Sequence, residues 1–480
     1  MPVPTYRRED VRVGIVHVGV GGFHRAHEAM YVDRLMNGGE GLDWGICGVG
    51  VLPGDAAMRD ALTAQDGLYT LVIKQPDGSL APRVIGSIVE YLLLGDDPEA
   101  VIEKMAAETT RIVSLTVTEG GYNVHPVSGQ FDERNQQVLA DAQADATPTT
   151  VFGLVTEALV RRRERGVAPF TVMSCDNIQG NGDVAARMFT AFARLRSEEL
   201  ADWMAGQVAF PNSMVDRITP VTTDDDRAQL AERFGVDDAW PVVCEPFTQW
   251  VLEDHFGQGR PALQDADVQL VHDVMPYELM KLRLLNAGHQ AIAYLGYLSG
   301  YRYAHEVSAD PAFSAFLRRY MDDEATPTLR PVPGVDLEDY KATLVERFAN
   351  PQVRDTLARL CAESSDRIPK WVLPVIREQL AAGREITCAA TIVAAWARYA
   401  EAVDEQGEPI TVVDRLSADL TRAARAQRRD PTAFIAQREL FGDLGDDERF
   451  VASYTEALES LHTRGAAATV AALADRVAPA

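Results

Sequence analysis

One stretch near the N-terminus restricts the possible folds more than any other. From Val13 the sequence runs VGIVHVGVGGFHRAHEAMYVDRLMNGG, an apolar β-type run, a glycine turn and a helical pattern that ends in two glycines. Strand, turn and helix follow in the order that a nucleotide-binding unit requires. Gly19 and Gly21 would tighten the turn and let the backbone approach a pyrophosphate at the helix N-terminus. His24 occupies the place of the third glycine of GxGxxG, so an ordinary βα turn remains the alternative.

The next β-type run, WGICGVGV, ends at Val51 and is soon followed by Asp55. A carboxylate at this place accepts both ribose hydroxyls of an adenosine and repels a 2′-phosphate, which favours NAD over NADP. The alternative is that Asp55 caps the helix that begins at Ala56. Both uses are compatible.

Polar side chains follow two further strand candidates. RIVSLTVTEGGY predicts a buried strand with Thr118 and Glu119 at its carboxyl end, and PFTVMSCDN predicts another that ends in Asp176 and Asn177. Ligands of open α/β sheets collect at the carboxyl ends of the strands, so these side chains are candidate site residues.

An irregular segment, FPNSMVDRITP, holds Asp216 and Arg217 between prolines. An ion pair that fixes a loop and a role in a binding site are equal alternatives for these two residues. The following AWPVVCEPFTQWVLED predicts a strand and a short helix that close the first domain.

The stretch MKLRLLNAGHQAIAYLG, from Met280 to Gly296, predicts one helix that is apolar all round and therefore buried. Lys281, Asn286 and His289 nevertheless share a little under half of its circumference. Burial disfavours the charged form of a lysine, so an amine in this setting is a plausible general base near neutral pH. The alternative is that Lys281 reaches the surface and that the other two are satisfied core residues.

The chain of 480 residues exceeds the size at which one hydrophobic core stops growing. Helical periodicity dominates after Met280. The sequence therefore predicts an α/β protein, with a Rossmann-type dinucleotide-binding domain over 1–279 and a mostly α-helical substrate and catalytic domain over 280–480. A net charge of −25 argues against nucleic-acid and anionic-membrane partners and favours a small molecule.

Five well-separated cysteines without a CxxC pair indicate reduced thiols, and we expect a cytoplasmic protein. The chain shows no segment of signal-peptide type and no run of membrane-spanning length, so we expect neither export nor a membrane span. No cysteine lies near a histidine at ligand spacing and HExxH is absent, so we expect metal-free chemistry. Tyr277 and Lys281 have the YxxxK spacing of short-chain dehydrogenases, but so short a pattern arises by chance.

Read in order, GVGGFHRAH, TEGGY, SCDN and KLRLLNAGH resemble the polyol-specific long-chain dehydrogenases over nearly the whole chain. The resemblance implies a Rossmann-type domain that binds NAD(H), a largely helical second domain and metal-independent catalysis. The reaction it implies is hydride transfer between NAD(H) and a polyol/ketose pair, with D-mannitol and D-fructose as the expected pair. We expect the chain to act as a monomer.

The same similarity assigns roles to individual residues. It makes Lys281 the base, Asn177 and Asn286 the pair that holds the alkoxide, His289 a substrate-orienting group and Glu119 part of a proton path. The implied cofactor-binding residues are Gly19, Gly21, Gly22, Phe23, Asp55 and Thr118. The implied polyol-binding residues are Asp216, Arg359 and Lys370.

Three alternatives remain open. The polyol can be a different one, such as arabinitol or sorbitol. The enzyme can be a hexuronate reductase of the same family, because Arg359, Arg367 or Lys370 can in principle bind a carboxylate. The third alternative is a non-catalytic NAD-binding sensor, although a sensor has no need of a buried base.

Overall fold

The computed structural model describes residues 1–125, 129–143 and 146–474, with the side chain of Glu119 outside the description. The chain divides into two compact units, Met1–Met275 and Pro276–Ala480. Sequence periodicity places the division at residue 280, inside the helical run that crosses this boundary, because the change of pattern is visible only after that helix has begun.

The first unit carries all the strands of the described chain. They are β1 (Val13–Val18), β2 (Gly45–Gly50), β3 (Tyr69–Lys74), β4 (Leu80–Ile85), β5 (Ile88–Leu93), β6 (Ile112–Leu115), β7 (Thr171–Ser174), β8 (Ser213–Asp216), β9 (Val242–Cys244), β10 (Gln249–Glu253) and β11 (Gln269–Val271). Its helices are α1 (Gly22–Ala26), α2 (Glu28–Asn37), α3 (Ala56–Ala64), α4 (Pro98–Ala106), α5 (Gln136–Asp141), α6 (Val151–Glu164), α7 (Asn181–Arg196), α8 (Glu198–Gln207) and α9 (Asp224–Phe234).

Five of the strands form one parallel sheet in the order β5-β2-β1-β6-β7. Counted within this sheet alone, the order is 3-2-1-4-5, which is the order of a Rossmann sheet. The direction of winding reverses between β1 and β6, and a crevice opens outside the carboxyl ends of the strands at such a point. The predicted Rossmann-type fold of the first domain is confirmed.

The central sheet is buried on both faces. Ile15 and Val16 are adjacent in β1 and belong to two different hydrophobic cores, because successive side chains of a strand point to opposite faces. Helices α4, α6, α7 and α8 supply one core, and α2 and α3 contribute to the other. The apolar run of β1 is thus explained by a layer of structure on each side.

Two small sheets, β4-β3-β9 and β11-β10-β8, complete the unit. The segment TLVIKQPDGSLAPRVIGSI predicts a hairpin with turn residues Pro76, Asp77 and Gly78. This prediction is confirmed, since β3 and β4 pair in antiparallel register from Tyr69 with Ile85 to Lys74 with Leu80. The short helix predicted after Cys244 is wrong. That segment forms β10, and its pairing with β8 outweighs the weak helical pattern.

The second unit is helical, as predicted, with only isolated β-bridges in its described part. Its helices are α10 (Met275–Met280), which begins at the last residue of the first unit, α11 (Ala287–Leu298), α12 (Ala304–Ala309), α13 (Pro311–Arg319), α14 (Leu337–Phe348), α15 (Leu357–Leu360), α16 (Ser364–Trp371), α17 (Leu373–Ala381), α18 (Thr387–Tyr399), α19 (Ser417–Ala426), α20 (Arg438–Phe441), α21 (Glu448–Arg464) and α22 (Ala466–Ala474). Two π-helical segments, Lys281–Asn286 and Tyr320–Ala325, interrupt the α-helices.

The predicted single helix is therefore three elements. Helix α10 leads into the π-helix Lys281–Asn286, which continues into α11. Every residue from Lys281 to Gly296 is buried, as the apolar pattern predicts. Helix α11 packs against α15 and α18, and the π segment packs against α16. Short π segments within helices are rare and often lie at functional sites.

Arg283 holds the π segment to its neighbours. Its guanidinium donates to the carbonyl of Thr328 at 2.7 Å and to both carboxylate oxygens of Glu378 at 2.6 and 2.9 Å. A buried guanidinium needs such partners, because an unpaired buried charge is costly. The sequence pattern alone did not single out this residue.

All five cysteines lie in the described part of the chain, and each is a buried free thiol. No helix among the described residues combines the length and the apolar character needed to cross a membrane.

Glu324 makes the stability of the second unit depend on pH. Its carboxyl oxygens accept the N–H groups of Cys388 and Ala389 at 2.6 and 2.7 Å, at the start of α18. Burial raises the pKa of Glu324 from 4.5 to about 7, although these two N–H groups oppose the rise. Because the unfolded chain ionises first, the stability that this group contributes is complete below pH 4.5 and is lost as the pH rises through about 7.

Replacement of this carboxyl group tests that dependence. In the parent protein Glu324 should cost about 3 kcal/mol of stability between pH 5 and pH 8. E324Q has no titrating group at this position. The difference between its thermal midpoint and that of the parent should therefore rise in favour of E324Q as the pH increases. D323N removes an exposed carboxylate of the same segment and should keep the parental slope. Parallel curves for E324Q and the parent would show that Glu324 is ionised across this range.

Candidate active site

The glycine turn after β1 is fixed by its neighbours. Gly19 has a φ of +94°, and a Cβ at this position would lie 2.3 Å from the carbonyl oxygen of Thr116. Its N–H donates to the carbonyl of Val49 at 3.0 Å, at the end of β2. Only glycine fits there, so the turn is set by the carboxyl ends of β2 and β6 on either side of it.

The start of α1 leaves room for a ligand. A Cβ at Gly21 would meet only the carbonyl oxygen of Gly19, at 3.9 Å, and one at Gly22 would be in ordinary contact distance of its neighbours. Phe23, the second residue of α1, stacks on His27 with the ring centroids 4.9 Å apart. The N–H groups of a first helical turn are not used within the helix, and they favour an anion. The turn therefore fits a pyrophosphate.

The Asp55 carboxylate binds the backbone of the residues that precede it. One carboxylate oxygen accepts the N–H groups of Val51 and Leu52, both at 2.9 Å. Helix α3 does begin at Ala56, but the Asp55 side chain makes no capping hydrogen bond to it, so the alternative of a cap for that helix is wrong. The residue ends the 3₁₀ helix Pro53–Asp55, which follows β2, and a carboxylate after this strand favours an unmodified ribose.

A buried polar cluster lies beneath the glycine turn. The Nδ1 atoms of His17 and His24 lie 3.0 and 3.2 Å from one carboxylate oxygen of Glu28. The two imidazoles stack with their centroids 3.4 Å apart and their planes 13° apart, and the three side chains bring one potential metal-ligand atom each within 4.8 Å of one another. Burial would raise the pKa of Glu28, but the hydrogen bonds from both histidines outweigh it and lower the pKa. Burial lowers the pKa of His24 to about 3.

The carboxyl ends of β6 and β7 bring together residues that the sequence placed apart. The backbone N–H of Thr118 donates to one carboxylate oxygen of Asp176 at 2.8 Å, and that of Val117 donates to the other at 3.1 Å. Asn177 follows in an exposed bend. Glu119 begins a short 3₁₀ helix, and its predicted proton-path role concerns a side chain outside the described part of the structure.

Asp216 is buried at the end of β8. The guanidinium of Arg217 donates to the backbone carbonyls of Ala26 and Glu245, at 2.7 Å for the former. Arg217 thus fastens the end of α1 to this loop. These contacts give Arg217 a structural role. They assign no role to Asp216.

In the second unit, the three polar residues of the buried helix have different surroundings. Lys281 is 7% exposed, so the alternative that it reaches the surface is wrong. The imidazole of His289 stacks on Phe348 of α14, with centroids 4.1 Å apart, which fixes the ring plane. Asn286 is 5% exposed, and its Nδ2 has no hydrogen-bond partner among the described residues.

The remaining predicted residues lie on helices next to this one. Arg359 of α15 forms a two-pronged ion pair with Asp355, at 2.7 Å for its Nε contact, and its side chain is 56% exposed. Lys370 of α16 is exposed. The hydroxyl of Tyr277 donates to the carbonyl of Pro333 at 2.8 Å, a structural use for this residue of the YxxxK spacing.

The structure thus groups the predicted residues by unit. The cofactor candidates and Asn177 lie at the carboxyl edge of the central sheet, and Lys281, Asn286 and His289 lie on one buried helical run. Sequence reasoning named Asp176 as a candidate but not its contacts with the backbone of Val117 and Thr118, and it missed Phe348 altogether. The SCDN motif contained a signal for the first, and no sequence pattern pointed to the second.

Comparison with protein families accounts for both units. The family described as "Mannitol dehydrogenase Rossmann domain" matches residues 13–265, and "Mannitol dehydrogenase C-terminal domain" matches residues 273–462. The chain belongs to the mannitol dehydrogenase family.

Individual members of the family match nearly the full length. Mannitol 2-dehydrogenase of Phaeosphaeria nodorum is 50% identical over 473 residues, which span 98% of this chain and 83% of that protein. The solved ternary complex of Pseudomonas fluorescens mannitol 2-dehydrogenase with NAD and D-mannitol is 47% identical, with a TM-score of 0.91 over 99% of this chain and 97% of that one. A substrate-free D-sorbitol dehydrogenase is 36% identical, with a TM-score of 0.89 over 98% and 97%.

Two glycine variants test the cofactor turn. G19A places a Cβ against the Thr116 carbonyl and should lower both the thermal midpoint and the affinity for NADH. G21A meets no close atom of the protein but fills the space before α1, so NADH affinity should fall at least tenfold with an unchanged thermal midpoint. Fluorescence titration with NADH and thermal melts measure both effects. Unchanged NADH binding by G21A would place the pyrophosphate elsewhere.

Proposed function

We propose that this protein is a metal-independent, NAD-dependent polyol dehydrogenase that interconverts D-mannitol and D-fructose. The observation that carries the proposal is the buried amide of Asn286, whose Nδ2 has no acceptor among the described residues. A buried donor without a partner is costly, and such exceptions call for an explanation. An amide that meets its partner only when a substrate alkoxide forms supplies one.

The chemistry of alcohol oxidation explains the composition of this helix. The C–H hydrogen leaves the carbinol carbon with both electrons of its bond as hydride, which NAD⁺ accepts when bound, and the hydroxyl proton leaves to a base. We assign the proton to the amine of Lys281 and the developing negative charge on oxygen to the Asn286 amide. A base and a fixed donor are sufficient to stabilise an alkoxide without a metal ion.

The other site residues keep the roles implied by the family resemblance. Asn177, exposed at the end of β7, is the proposed second alkoxide donor, and Glu119 the proposed proton-path residue. His289 would orient the polyol, with its ring plane fixed by Phe348. Asp216, Arg359 and Lys370 are the proposed polyol contacts, and Gly19, Gly21, Gly22, Phe23, Asp55 and Thr118 the proposed cofactor contacts.

The alternatives fit less well. A sensor has no use for a buried lysine and an unpartnered buried amide on one helix. A hexuronate reductase needs a cation for the substrate carboxylate, but Arg359 already pairs with Asp355 and Arg367 donates to the backbone carbonyls of Arg359 and Leu360, which leaves the exposed Lys370. A different polyol is the stronger competitor, because a D-sorbitol dehydrogenase shares the architecture over nearly the whole chain.

We also propose that the chain works as a monomer in a cytoplasmic compartment. The free state of all five buried cysteines supports a reducing environment. Light scattering after gel filtration measures the mass directly, and a dimer would contradict the proposal.

A substrate panel tests the function. NADH formation is followed with D-mannitol, sorbitol and arabinitol, and NADH consumption is followed with fructuronate; each assay is repeated with NADP(H). We expect the highest kcat/KM with D-mannitol and NAD⁺, and the same rate after dialysis against EDTA. Activity that EDTA removes and zinc restores would overturn metal independence. A lack of turnover with every compound would favour the sensor.

Two substitutions on the buried helix test the assigned roles. K281M should lower kcat by about 10²–10⁴-fold because the base is lost. N286A should lower it by about 10²–10³-fold because a donor to the alkoxide is lost. NADH affinity should persist in both. Q290A is the matched control, since this buried amide of α11 already donates to the carbonyl of Leu360 at 3.1 Å, and kcat should stay near the parental value. An N286A enzyme with parental kcat would refute the role of the amide.

A further inference from the structure

Thr118 is held in a conformation that its side chain disfavours. Its φ and ψ are 63° and 171°, a region that is essentially restricted to glycine. The residue is exposed and follows the carboxyl end of β6, so core packing does not force this geometry. Strained backbone persists only where surrounding contacts over-determine it, and it concentrates at functional sites.

The carbonyl of Thr118 accepts the N–H of Gly121 at 3.0 Å, and the contacts on the N–H side of the residue come from Asp176. The N–H of Thr118 donates to Oδ1 at 2.8 Å, and the N–H of Val117 donates to Oδ2 at 3.1 Å. Each carboxylate oxygen thus binds one backbone donor of consecutive residues. An amide side chain would turn an NH₂ group toward one of the two N–H groups, so the site requires a carboxylate.

Asp176 is itself held in place. The hydroxyl of Tyr122 donates to Oδ2 at 2.8 Å, and the side-chain amide of Asn181 donates to the Asp176 carbonyl at 3.0 Å. Burial raises the pKa of Tyr122 well above its usual value, and the neighbouring carboxylate adds to the rise, so the phenol remains a donor. At 7% exposed, Asp176 has little freedom to move away from the strained turn.

We propose that Asp176 is a positioning residue, whose carboxylate holds Thr118 in the strained conformation and so sets the place of the Thr118–Glu119 peptide during hydride transfer. This inference rests on the proposed function, because the peptide lies in the part of the sheet edge assigned to the cofactor. The residue acts through Thr118, and a small displacement of such a segment is sufficient to cost a large factor in rate.

A double-mutant cycle tests the proposal. D176N should lower kcat about 100-fold in the Thr118 enzyme. Glycine adopts the Thr118 conformation without strain, so D176N should cost less than about tenfold in the T118G background. NADH affinity should fall by a smaller factor than kcat in D176N, because the glycine turn is intact and only the Thr118 contact is displaced. Equal penalties in the two backgrounds would overturn the proposal.

D141N is the matched control. Asp141 is also buried in the first unit and accepts the N–H groups of Thr149 and Thr150, at 3.0 and 2.7 Å, before α6. Its loss should lower the thermal midpoint and leave kcat near the parental value. An equal fall of kcat in D141N and D176N would show that Asp176 serves stability alone.

Thermal melts separate failure of the inference from failure of the function. T118G should melt above the parent because it removes the strain, and D176N should lower the midpoint less in T118G than in the parent. These readouts do not depend on turnover. If the parent lacks polyol activity but the melts behave in this way, the proposed function fails and the restraint by Asp176 stands. A T118G protein that melts below the parent would overturn the proposed restraint. This test holds even if D176N alone does not fold.

Discussion

The structure depends on polar groups kept inside an apolar helix. Every residue from Lys281 to Gly296 is buried, yet the run carries an amine, an amide and an imidazole. Burial of such groups costs free energy unless they are paired, so polar groups at these positions call for a functional explanation. Arg283 shows how the unit meets this cost elsewhere, with a carbonyl and a carboxylate as partners. The Nδ2 of Asn286 has no such partner among the residues described.

In the first unit, polar contacts fix the backbone at the carboxyl edge of the central sheet. Reversal of the winding between β1 and β6 opens the crevice, and Gly19 brings the turn against the Thr116 carbonyl. The strained Thr118 and the buried carboxylate of Asp176 then fix the ends of β6 and β7 relative to each other. A rigid sheet thus carries an edge whose backbone is placed by polar contacts rather than by packing.

Sequence reasoning predicted the fold class because its signals are local and strong. The strand, glycine turn and helix after Val13 and the all-round apolar run after Met280 each specify one arrangement. The π segment was not predicted, because an apolar run has no marker for one inserted turn. The capping interpretation of Asp55 failed because the side chain turned back to Val51, which spacing does not reveal. The contacts of Asp176 with Val117 and Thr118 could not be predicted, because they depend on the register in which β6 pairs with β7, and this register is not visible in the sequence.

The central claim is that Lys281 takes the proton while Asn286 holds the alkoxide. The most direct measurement is the single-turnover rate of NADH formation from D-mannitol across pH, in the parent and in N286A. The account predicts that the parental rate rises with pH through the release of one proton and then levels off. In N286A the plateau should fall while the midpoint stays in place, because an amide carries no charge. A large shift of the midpoint with an unchanged plateau would contradict the account.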